Sequence, residues 1–513
     1  MSVPDWLSPL PDAAAMRAAD AAAIAAGTPG IKLMERAGSG LALVAAERIP
    51  QGPIAVVCGK GNNGGDGFVA ARLLSELGRE VRVVVTADPS EYEGDAAENL
   101  SRLEAAPLAF GPGWLEGAAG AIDALMGTGA AGAPRGAVAD AITALLDSGL
   151  PVVACDVPSG VDASTGEVAD PDIAIRAVAT VTFAAHKPGL WIAPGKTYAG
   201  EVTCIDIGLP QRIDAPVGLL ASDDVLALLP ARGAQATKFS GGHVVVAGGS
   251  RGLTGAVCLA ADAAVRAGAG YVTACVPQTL EAIFEVKLTE VMTFGLPDDD
   301  GALLESGADS VLEQAGRHGG TVVLGSGLGR GAAQTAFASG VVAGATGSLV
   351  IDADGLNAFA GAAGRLAVSA ASAVLTPHAG ELARLMGTST DDISARRLHW
   401  ATHAAEVTEA VVVLKGDDTL IAAPDGRVAV SEGGAPGLAT AGTGDVLAGI
   451  CGAYLAAGLD GFAAACAAVR VHVLAGRLAA AANGPDGVIA SDVIAAIAAA
   501  RSGASTGDER PVQ

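Results

Sequence analysis

The chain has 513 residues, and its 55 acidic and 31 basic side chains give a formal net charge of −24 at pH 7. So acidic a chain repels the phosphates of nucleic acids and anionic membranes, which excludes both as general partners. Hydrophobic residues make up 51% of it, which excludes overall disorder, and the odd number of cysteines without a C-x-x-C pair favours reduced thiols and a cytoplasmic location.

The first half alternates buried β-branched runs with alanine-rich helical stretches. Two predicted helices come first, and a third is predicted to follow a glycine-rich loop. Because strands and helices alternate, we predict a doubly wound, Rossmann-like three-layer αβα domain over residues 1–220. The predicted helices are 13–26, 31–49 and 67–77, and the clearest predicted strands are Ile54–Cys58, Val81–Val85, 152–156 and Ala179–Phe183.

The pattern weakens between residues 208 and 236, where proline and glycine recur, and we place a domain junction near residue 220. A second α/β series then predicts a domain over 225–505. It closes with a hairpin at 419–430 and long alanine-rich helices. The predicted strands are His243–Ala247, 271–276, Thr321–Leu324, 348–351, Ala373–Leu375 and Val411–Leu414.

A glycine-rich motif, N-N-G-G-D-G at residues 62–67, lies between a predicted strand and a helix. Glycines let the backbone approach a ligand closely, and their N–H groups can bind an anion. The side chains of Asn62, Asn63 and Asp66 add oxygens that could orient a ribose or hold a cation. A plain strand–helix turn is the alternative, although a turn needs neither two asparagines nor an aspartate.

Two further motifs follow predicted strands: D-A-L-M-G-T-G at 123–129 and D-V-P-S-G-V-D at 156–162. Ligands of open parallel sheets bind beyond the carboxyl ends of the strands, so these loops are expected to meet in one crevice. Asp156 is well placed there for proton transfer, unless it only caps a turn. Asn63, Asp123 and Ser159 offer hard oxygen ligands for a monovalent or hard divalent cation.

Together with L-M-E-R-A-G at 33–38 and H-K-P-G at 186–189, these motifs follow the order found in the NAD(P)H-hydrate epimerase family, which the first 210 residues resemble. The resemblance implies a potassium ion held by Asn63, Asp123 and Ser159. It also implies substrate contacts from Asn62, Asn63, Gly64, Gly65, Asp66, Gly127, Thr128, Gly129, Ala130, Ala131, Gly132, Ala133 and Asp156.

In the second half, the sequence A-T-A-G-T-G-D at 439–445 carries the strongest chemical signal. Its glycines open a helix whose N-terminal N–H groups and dipole suit a phosphate. Asp445, just inside that helix, can take the proton of an attacking hydroxyl during phosphoryl transfer. The alternative is an acidic first-turn residue that only supports the helix dipole.

Other loops of this half also follow predicted strands, among them T-P-H-A-G-E at 376–381 and L-K-G-D-D-T at 414–419. The lysine and small residues of the second loop suit nucleotide phosphates. His399 and His403 are four residues apart on a helix, but without an H-E-x-x-H glutamate or a third ligand they do not predict a zinc site.

Residues 238–500 resemble the ADP- or ATP-dependent NAD(P)H-hydrate dehydratase family, which has a ribokinase-like α/β fold. Ser326 stands where that family usually has proline. The resemblance implies that the hydrated nucleotide contacts Ala256, Gly327, His378 and Asp445. It implies that the adenine nucleotide is bound by Lys415, Gly416, Asp417, Asp418, Thr419 and Gly444.

The two resemblances together imply a fused repair enzyme for hydrated NADH and NADPH (NADHX and NADPHX). The first half would interconvert the R and S hydrates, and the second would dehydrate the S form with ADP and Mg²⁺, giving AMP and phosphate. The sequence does not decide between ADP and ATP as the phosphoryl donor, or between NADHX and NADPHX as the preferred substrate. We expect a homo-oligomer without nucleic-acid or membrane partners.

One alternative to the repair enzyme is a vitamin or sugar kinase with a non-catalytic N-terminal interaction domain. The other is a dimerisation module like those of mRNA-decapping scaffolds.

Overall fold

The computed structural model describes residues 2–231, 233–367 and 372–503, so residues 232, 368–371, 504 and 505 of the second predicted domain lie outside it. Two compact units are present. The N-terminal unit comprises Pro9–Gly218, and the C-terminal unit comprises Val3–Ser8 together with the chain from Leu219 onward. The junction therefore lies close to the expected residue 220. The N-terminal segment Val3–Ser8, however, belongs to the C-terminal unit. The two units are therefore not separated by a single division of the chain near residue 220.

The N-terminal unit is built on a parallel sheet that has seven strands within the described residues. The predicted strands are all present, and the one predicted at 152–156 ends at Cys155 instead of Asp156. In spatial order the strands are Leu108–Ala109, Val81–Val85, Ile54–Cys58, Gly120–Ala124, Val152–Cys155, Ala179–Phe183 and Glu201–Ile205. The helices are Ala13–Ala25, Gly30–Arg48, Asn62–Glu76, Gly94–Ser101, Ala137–Ser148 and Lys196–Ala199.

The glycine-rich motif at 62–67 is helical, which corrects the prediction of a loop followed by a helix from residue 67. The glycines allow close packing: a Cβ at Gly64 would lie 1.8 Å from the Gly59 carbonyl oxygen, and one at Gly67 would lie 2.7 Å from Ala124 Cβ. Glycine is a poor helix former, but tertiary packing overrides its intrinsic preference here.

Both faces of this sheet are covered. Alternate residues of the strand Ile54–Cys58 enter two separate hydrophobic clusters, one containing Val56 and Phe68 and the other containing Val57 and Ile142. Since successive side chains of a strand point to opposite faces, helices pack on both sides. The predicted αβα architecture is confirmed.

The C-terminal unit has a sheet of eleven strands within the described residues. Its centre is parallel, and the hairpin predicted at 419–430 adds two antiparallel strands at 420–422 and 428–431. The mixed sheet and the helices that accompany it give this unit the α/β fold predicted for the domain. In spatial order the strands are Ser8–Pro9, Val217–Leu220, Val428–Ser431, Leu420–Ala422, Val411–Leu414, Ala373–Leu375, Leu349–Ile351, Thr321–Leu324, His243–Ala247, Tyr271–Pro277 and Met292–Leu296.

Helices and a small hairpin, Asp298–Asp299 with Ala302–Leu303, complete the C-terminal unit. The helix Gly461–Asn483 is long and apolar enough to cross a membrane by length and composition, but 83% of its most apolar window is buried inside the protein. The helices are Thr254–Arg266, Glu281–Lys287, Ala308–Gly316, Ala332–Gly344, Asp354–Asn357, Ala379–Met386, Thr390–Ala395, Arg397–Thr408, Thr443–Ala456, Gly461–Asn483 and Ala490–Arg501.

The segment Val3–Ser8 packs into the core of the C-terminal unit. Val3 and Leu7 are buried in its main hydrophobic cluster, and the Trp6 ring lies 5.9 Å from the Phe462 ring. Burial of one aliphatic side chain of this size contributes about 1.5–3 kcal/mol. Residues at the start of the chain therefore stabilise the unit formed by its end.

Candidate active sites

The predicted loops of the N-terminal unit line one cavity of about 540 Å³. It lies beyond the carboxyl ends of the strands, as expected for an open parallel sheet. The residues implied as substrate contacts divide into two groups. Those that line the cavity are Asn62, Asn63, Asp66, Gly127, Thr128, Gly129, Ala130 and Asp156. Those not among its described lining residues are Gly64, Gly65, Ala131, Gly132 and Ala133.

Asp156 follows its strand directly, with a positive φ of 67°. Its Oδ1 accepts a hydrogen bond of 2.7 Å from the Nζ of Lys187, which is only 1% exposed. Its Oδ2 accepts from the Thr128 backbone N–H at 2.9 Å and from the Thr128 hydroxyl. Burial alone would raise the pKa of Asp156, but the Lys187 charge and these hydrogen bonds outweigh it and lower that pKa.

Two further acids line the same cavity, Asp66 and Asp20. Burial and the nearby charge of Asp156 raise the pKa of Asp66 well above its usual value, and burial raises that of Asp20. Sequence reasoning assigned no role to Asp20 or Lys187, although Lys187 belongs to the H-K-P-G motif. The cavity therefore combines one ionised carboxylate with two acids that hold their protons more tightly.

The three implied potassium ligands are also close together. Asp123 accepts from the Ser159 hydroxyl at 2.7 Å, from its backbone N–H at 2.8 Å and from the Leu125 N–H at 3.2 Å. The Asn63 amide donates to the Met126 carbonyl at 3.0 Å, and the Met126 N–H donates to the Ser159 hydroxyl at 2.9 Å. Asp123 is fully buried, and burial raises its pKa to about 6 against these neutral donors. A set of hard oxygens around a carboxylate with neutral partners fits a monovalent or a hard divalent cation.

In the C-terminal unit, Asp445 is the third residue of the helix Thr443–Ala456, as predicted. The preceding Gly444 lies beside Lys415, since a Cβ at Gly444 would be 3.3 Å from the Lys415 Nζ. That Nζ lies 3.0 Å from Asp352 Oδ1 and 3.6 Å from Glu381 Oε2. A lysine and a helix N-terminus therefore meet where a phosphate is expected.

The environment of Asp445 shifts its pKa upward, whereas that of Asp156 shifts its pKa downward. Burial, together with the nearby negative charge of Asp352, raises the pKa of Asp445 to about 7, against the opposing effects of Ser326 and Lys415. A carboxyl group that titrates near neutral pH suits a general base. From the sequence, Glu381 was predicted to hold a metal-bound water, and Asp352 was not assigned a role.

The other implied contacts of the hydrated nucleotide lie in two places. Ala256 and Gly327 are neighbours, since a Cβ at Gly327 would be 3.1 Å from Ala256 Cβ. His378 caps the helix Ala379–Met386, and its Nδ1 accepts from the Gly380 N–H at 3.0 Å. Its Nε2 lies 3.4 Å from the Glu381 Oε1, which links His378 to the acids around Lys415.

A second cavity, of about 290 Å³, lies beside Lys415. Among the residues implied for the adenine nucleotide, its lining includes Lys415, Gly416, Asp417, Thr419 and Gly444. The Asp418 carboxylate does not line it. It is 3% exposed and accepts a hydrogen bond of 2.9 Å from the buried Arg397. The remaining wall, missed by sequence reasoning, is apolar apart from His472, Thr443 and the backbone; it includes Leu438, Leu447, Val469 and Val473.

Comparison with known proteins covers both units. The family model described as YjeF-related protein N-terminus matches residues 30–189. The model described as NAD(P)H-hydrate dehydratase matches residues 244–499. Relatives named bifunctional NAD(P)H-hydrate repair enzyme Nnr match almost the full length. The protein of Moorella thermoacetica is 40% identical over 487 residues, which is 91% of each chain.

The chain belongs to the bifunctional NAD(P)H-hydrate repair enzyme family. The Salinibacter ruber member is 40% identical over 523 residues, covering 95% of each chain, and the Escherichia coli member is 34% identical over 448 residues, covering 86% of this chain and 84% of that one. A solved structure of the ADP/ATP-dependent NAD(P)H-hydrate dehydratase from Bacillus subtilis, co-crystallised with ATP/Mg²⁺, is 24% identical. It covers 55% of this chain and 96% of that one, with a TM-score of 0.46.

Proposed function

We propose that the N-terminal unit epimerises hydrated NADH and NADPH, and that the C-terminal unit dehydrates the S hydrate at the expense of ADP. The observation that carries the proposal is the pair of cavities, each next to an aspartate with a shifted pKa. Membership of the repair-enzyme family supports the substrate class. A sugar or vitamin kinase would not require the acidic cavity of the N-terminal unit.

Epimerisation inverts C6 of the hydrated nicotinamide ring and needs groups that take and return protons. Asp156 is held ionised by Lys187 and can accept a proton in the cavity. Asp66 lines the same cavity and keeps its proton to higher pH. Two carboxyl groups whose pKa values are pushed apart can serve as base and acid at one pH.

Dehydration begins when the C6 hydroxyl of the S hydrate attacks the terminal phosphoryl group of ADP. Asp445 takes the hydroxyl proton, and AMP leaves. Lys415 and the N–H groups of the helix that begins at Thr443 hold the transferring phosphate. The C6–O bond then breaks with release of phosphate, and loss of the C5 proton completes the ring double bond. Phosphorylation helps because hydroxide is a poor leaving group near neutral pH.

We further propose that Asn63, Asp123 and Ser159 hold a potassium ion in the N-terminal unit. The support is the buried Asp123 carboxylate, whose donors in the described chain are neutral. Bound potassium would supply positive charge beside the loop that positions Thr128. Magnesium is proposed to enter the C-terminal unit with the phosphates, as is usual for this ion.

The cytoplasmic location also stays a proposal, supported by seven free cysteines. Homo-oligomerisation, and the absence of nucleic-acid and membrane partners, remain predictions.

The test is a time course with mixed R and S hydrates, ADP and magnesium, following recovery of absorbance at the reduced-nicotinamide band. Wild-type protein is expected to convert the whole mixture. Asp156→Ala is expected to stop at about the S fraction, because the C-terminal unit needs nothing from Asp156 to process S hydrate. Short time courses limit the contribution of spontaneous epimerisation.

Two results would contradict the proposal. Absence of any ADP-dependent recovery would remove the dehydratase assignment. Equal consumption of R-enriched hydrate by wild type and Asp156→Ala, above the uncatalysed rate, would show that another group moves the proton.

A further inference from the structure

One wall of the 290 Å³ cavity is formed by residues 433–438, here called the wall segment. Four of its residues line the cavity: Gly433, Ala435, Pro436 and Leu438. The segment begins with two glycines in the left-handed region, Gly433 at a φ of 77° and Gly434 at 80°. Because consecutive glycines have wide conformational freedom, contacts from outside the segment must fix its position.

Two arginines of the helix Gly461–Asn483 supply contacts of this kind. The Oε1 of Glu432, the residue directly before the wall segment, lies 2.8 Å from the Arg470 Nη1 and 2.8 Å from the Arg477 Nη2. The Arg477 side chain also donates to the Gly433 carbonyl at 2.5 Å and to the Gly434 carbonyl at 3.4 Å. The start of the wall segment is therefore fixed to the helix through both its backbone and the preceding carboxylate.

The wall segment is also joined to the loop that carries Lys415. The Asp417 Oδ1 accepts a hydrogen bond of 2.9 Å from the Gly434 N–H, and a Cβ at Gly433 would lie 2.3 Å from the Asp417 carbonyl oxygen. Asp417 and Lys415 line the same cavity. A shift at Gly433 and Gly434 would therefore change the distance between two walls of the cavity.

Glu432 is the anion that the two arginines share. Arg470 is only 7% exposed, and its Nε lies 2.7 Å from the Asp223 Oδ1, so two guanidinium groups face two carboxylates. Without the charge of Glu432, Arg470 and Arg477 would lose their common partner, and like charges repel strongly where water is largely excluded. The position of Arg477, and with it that of Gly433, depends on this carboxylate.

We propose that Glu432 is a positioning residue of the dehydratase, which holds the wall segment in place for the adenine nucleotide through Arg470 and Arg477. Glu432 is not among the described residues that line the cavity, so it acts through its neighbours. The inference rests on the proposed function, because it assumes that ADP binds in this cavity.

The experiment measures dehydration of S hydrate by the full chain at varied ADP and saturating hydrate. Glu432→Gln is expected to raise the KM for ADP about tenfold, as loss of a charged hydrogen-bond partner predicts, with kcat within about twofold of wild type. The reason is that Lys415 and Asp445 are unchanged and saturating ADP restores the closed wall. Glu432→Asp keeps the charge and should recover part of the affinity.

Two control variants separate positioning from stability. Leu7→Ala destabilises the same unit from a distant part of its core, so it should lower the thermal midpoint and leave the KM for ADP unchanged well below that midpoint. Glu406→Gln removes an exposed carboxylate of the same unit and should change neither quantity. An equal rise of the KM for ADP in Leu7→Ala would overturn the positioning role.

Arg477→Lys provides a second route if Glu432→Gln does not fold. It keeps the positive charge beside Glu432 but loses the fork that reaches the Gly433 and Gly434 carbonyls, and the KM for ADP should again rise. An unchanged KM in the variant that folds would overturn the inference while leaving the dehydratase assignment intact. Absence of ADP-dependent recovery in wild type would instead remove the proposed function together with this inference.

Discussion

Each unit has an aspartate beside its proposed site, yet the two environments shift the pKa of that aspartate in opposite directions. Asp156 has Lys187 as a direct partner at 2.7 Å, and its pKa is lowered. In the C-terminal unit the corresponding lysine, Lys415, lies 3.0 Å from Asp352, and the pKa of Asp445 rises to about 7. Lys187 and the Thr128 hydrogen bonds outweigh burial and keep Asp156 ionised throughout the neutral range, whereas burial and the nearby charge of Asp352 make Asp445 titrate within it.

This contrast matches the chemistry proposed for each unit. A base that takes a proton beside a second, protonated acid must be ionised before the transfer. A base that must accept the proton of an alcohol gains from a pKa near the working pH. The activities of the two units can be compared after a single change in residue or pH.

The largest effect is expected for Asp445→Asn. The amide keeps the shape of the side chain but cannot take the hydroxyl proton, and loss of a positioned base costs about 10²–10⁴-fold. ADP-dependent dehydration of S hydrate should fall by that factor while epimerisation continues. The exposed Asp486→Asn is the control, and near-normal dehydration by Asp445→Asn would mean that Asp445 is not the base.

Lys187→Met should disable the other unit. The change leaves the buried Asp156 carboxylate without its cation, which costs about 3–5 kcal/mol in comparable buried pairs. Epimerisation should fall and become pH-dependent, and the N-terminal unit should unfold at lower denaturant, whereas dehydration of S hydrate should persist. Lys32→Met, at an exposed position, should change none of these. A variant that epimerises at the wild-type rate and pH profile would show that Lys187 does not hold Asp156 ionised.

Leu7→Ala tests whether the first residues of the chain stabilise the C-terminal unit. Leu7 is 1% exposed in the core of the C-terminal unit, and truncation of a buried leucine costs about 2–5 kcal/mol. Dehydration should be lost at a lower temperature, with epimerisation unaffected. Leu228→Ala, at a residue 42% exposed in the same unit, is the control and should have a smaller effect. For the same reason, residues 225–513 expressed alone lack two strands of their sheet and should be less stable than the same unit in the full chain.

The smallest effect is the pH dependence of the intact protein. A base must be deprotonated to act, so a pKa of about 7 for Asp445 makes dehydration fall about tenfold between pH 8 and pH 6. The pKa of Asp156 is lowered from 3.8, so this carboxylate stays ionised and should add no inflection to epimerisation over the same range. Initial rates on S-enriched and R-enriched hydrate measure the two separately. A shared inflection would show that the two aspartates are not tuned differently.

Much of the fold could be predicted because buried parallel strands are continuous apolar runs, as at Ile54–Cys58 and His243–Ala247. The strand Val217–Leu220 was missed because it follows a proline-rich stretch and completes a sheet formed mainly by residues far along the chain. The helix from Asn62 was predicted too late because its glycines disfavour a helix in isolation, and the close packing against Gly59 and Ala124 that explains them is tertiary.

The location of Asp156 and Asp445 beside the two cavities could be predicted because each lies in one motif, and their roles stay proposals. Partners supplied by a distant segment could not be predicted. Lys187 is 31 residues from Asp156, and Lys415 is 63 residues from Asp352. Asp418 lies in a phosphate-binding pattern, but the carboxylate is engaged by Arg397, which no local spacing indicates.

The path of the chain has a consequence for limited proteolysis. The N-terminal unit begins and ends at neighbouring points, since the Leu10 N–H donates to the Val217 carbonyl at 2.8 Å, while Val3–Ser8 and the chain from Leu219 belong to the other unit. A single nick in the exposed stretch at residues 210–212 would therefore not release the N-terminal fragment, because its first residues would stay packed in the C-terminal core. Two cleavages, one on each side of the unit, are needed to separate the fragments, so a singly nicked protein should keep both activities in one particle.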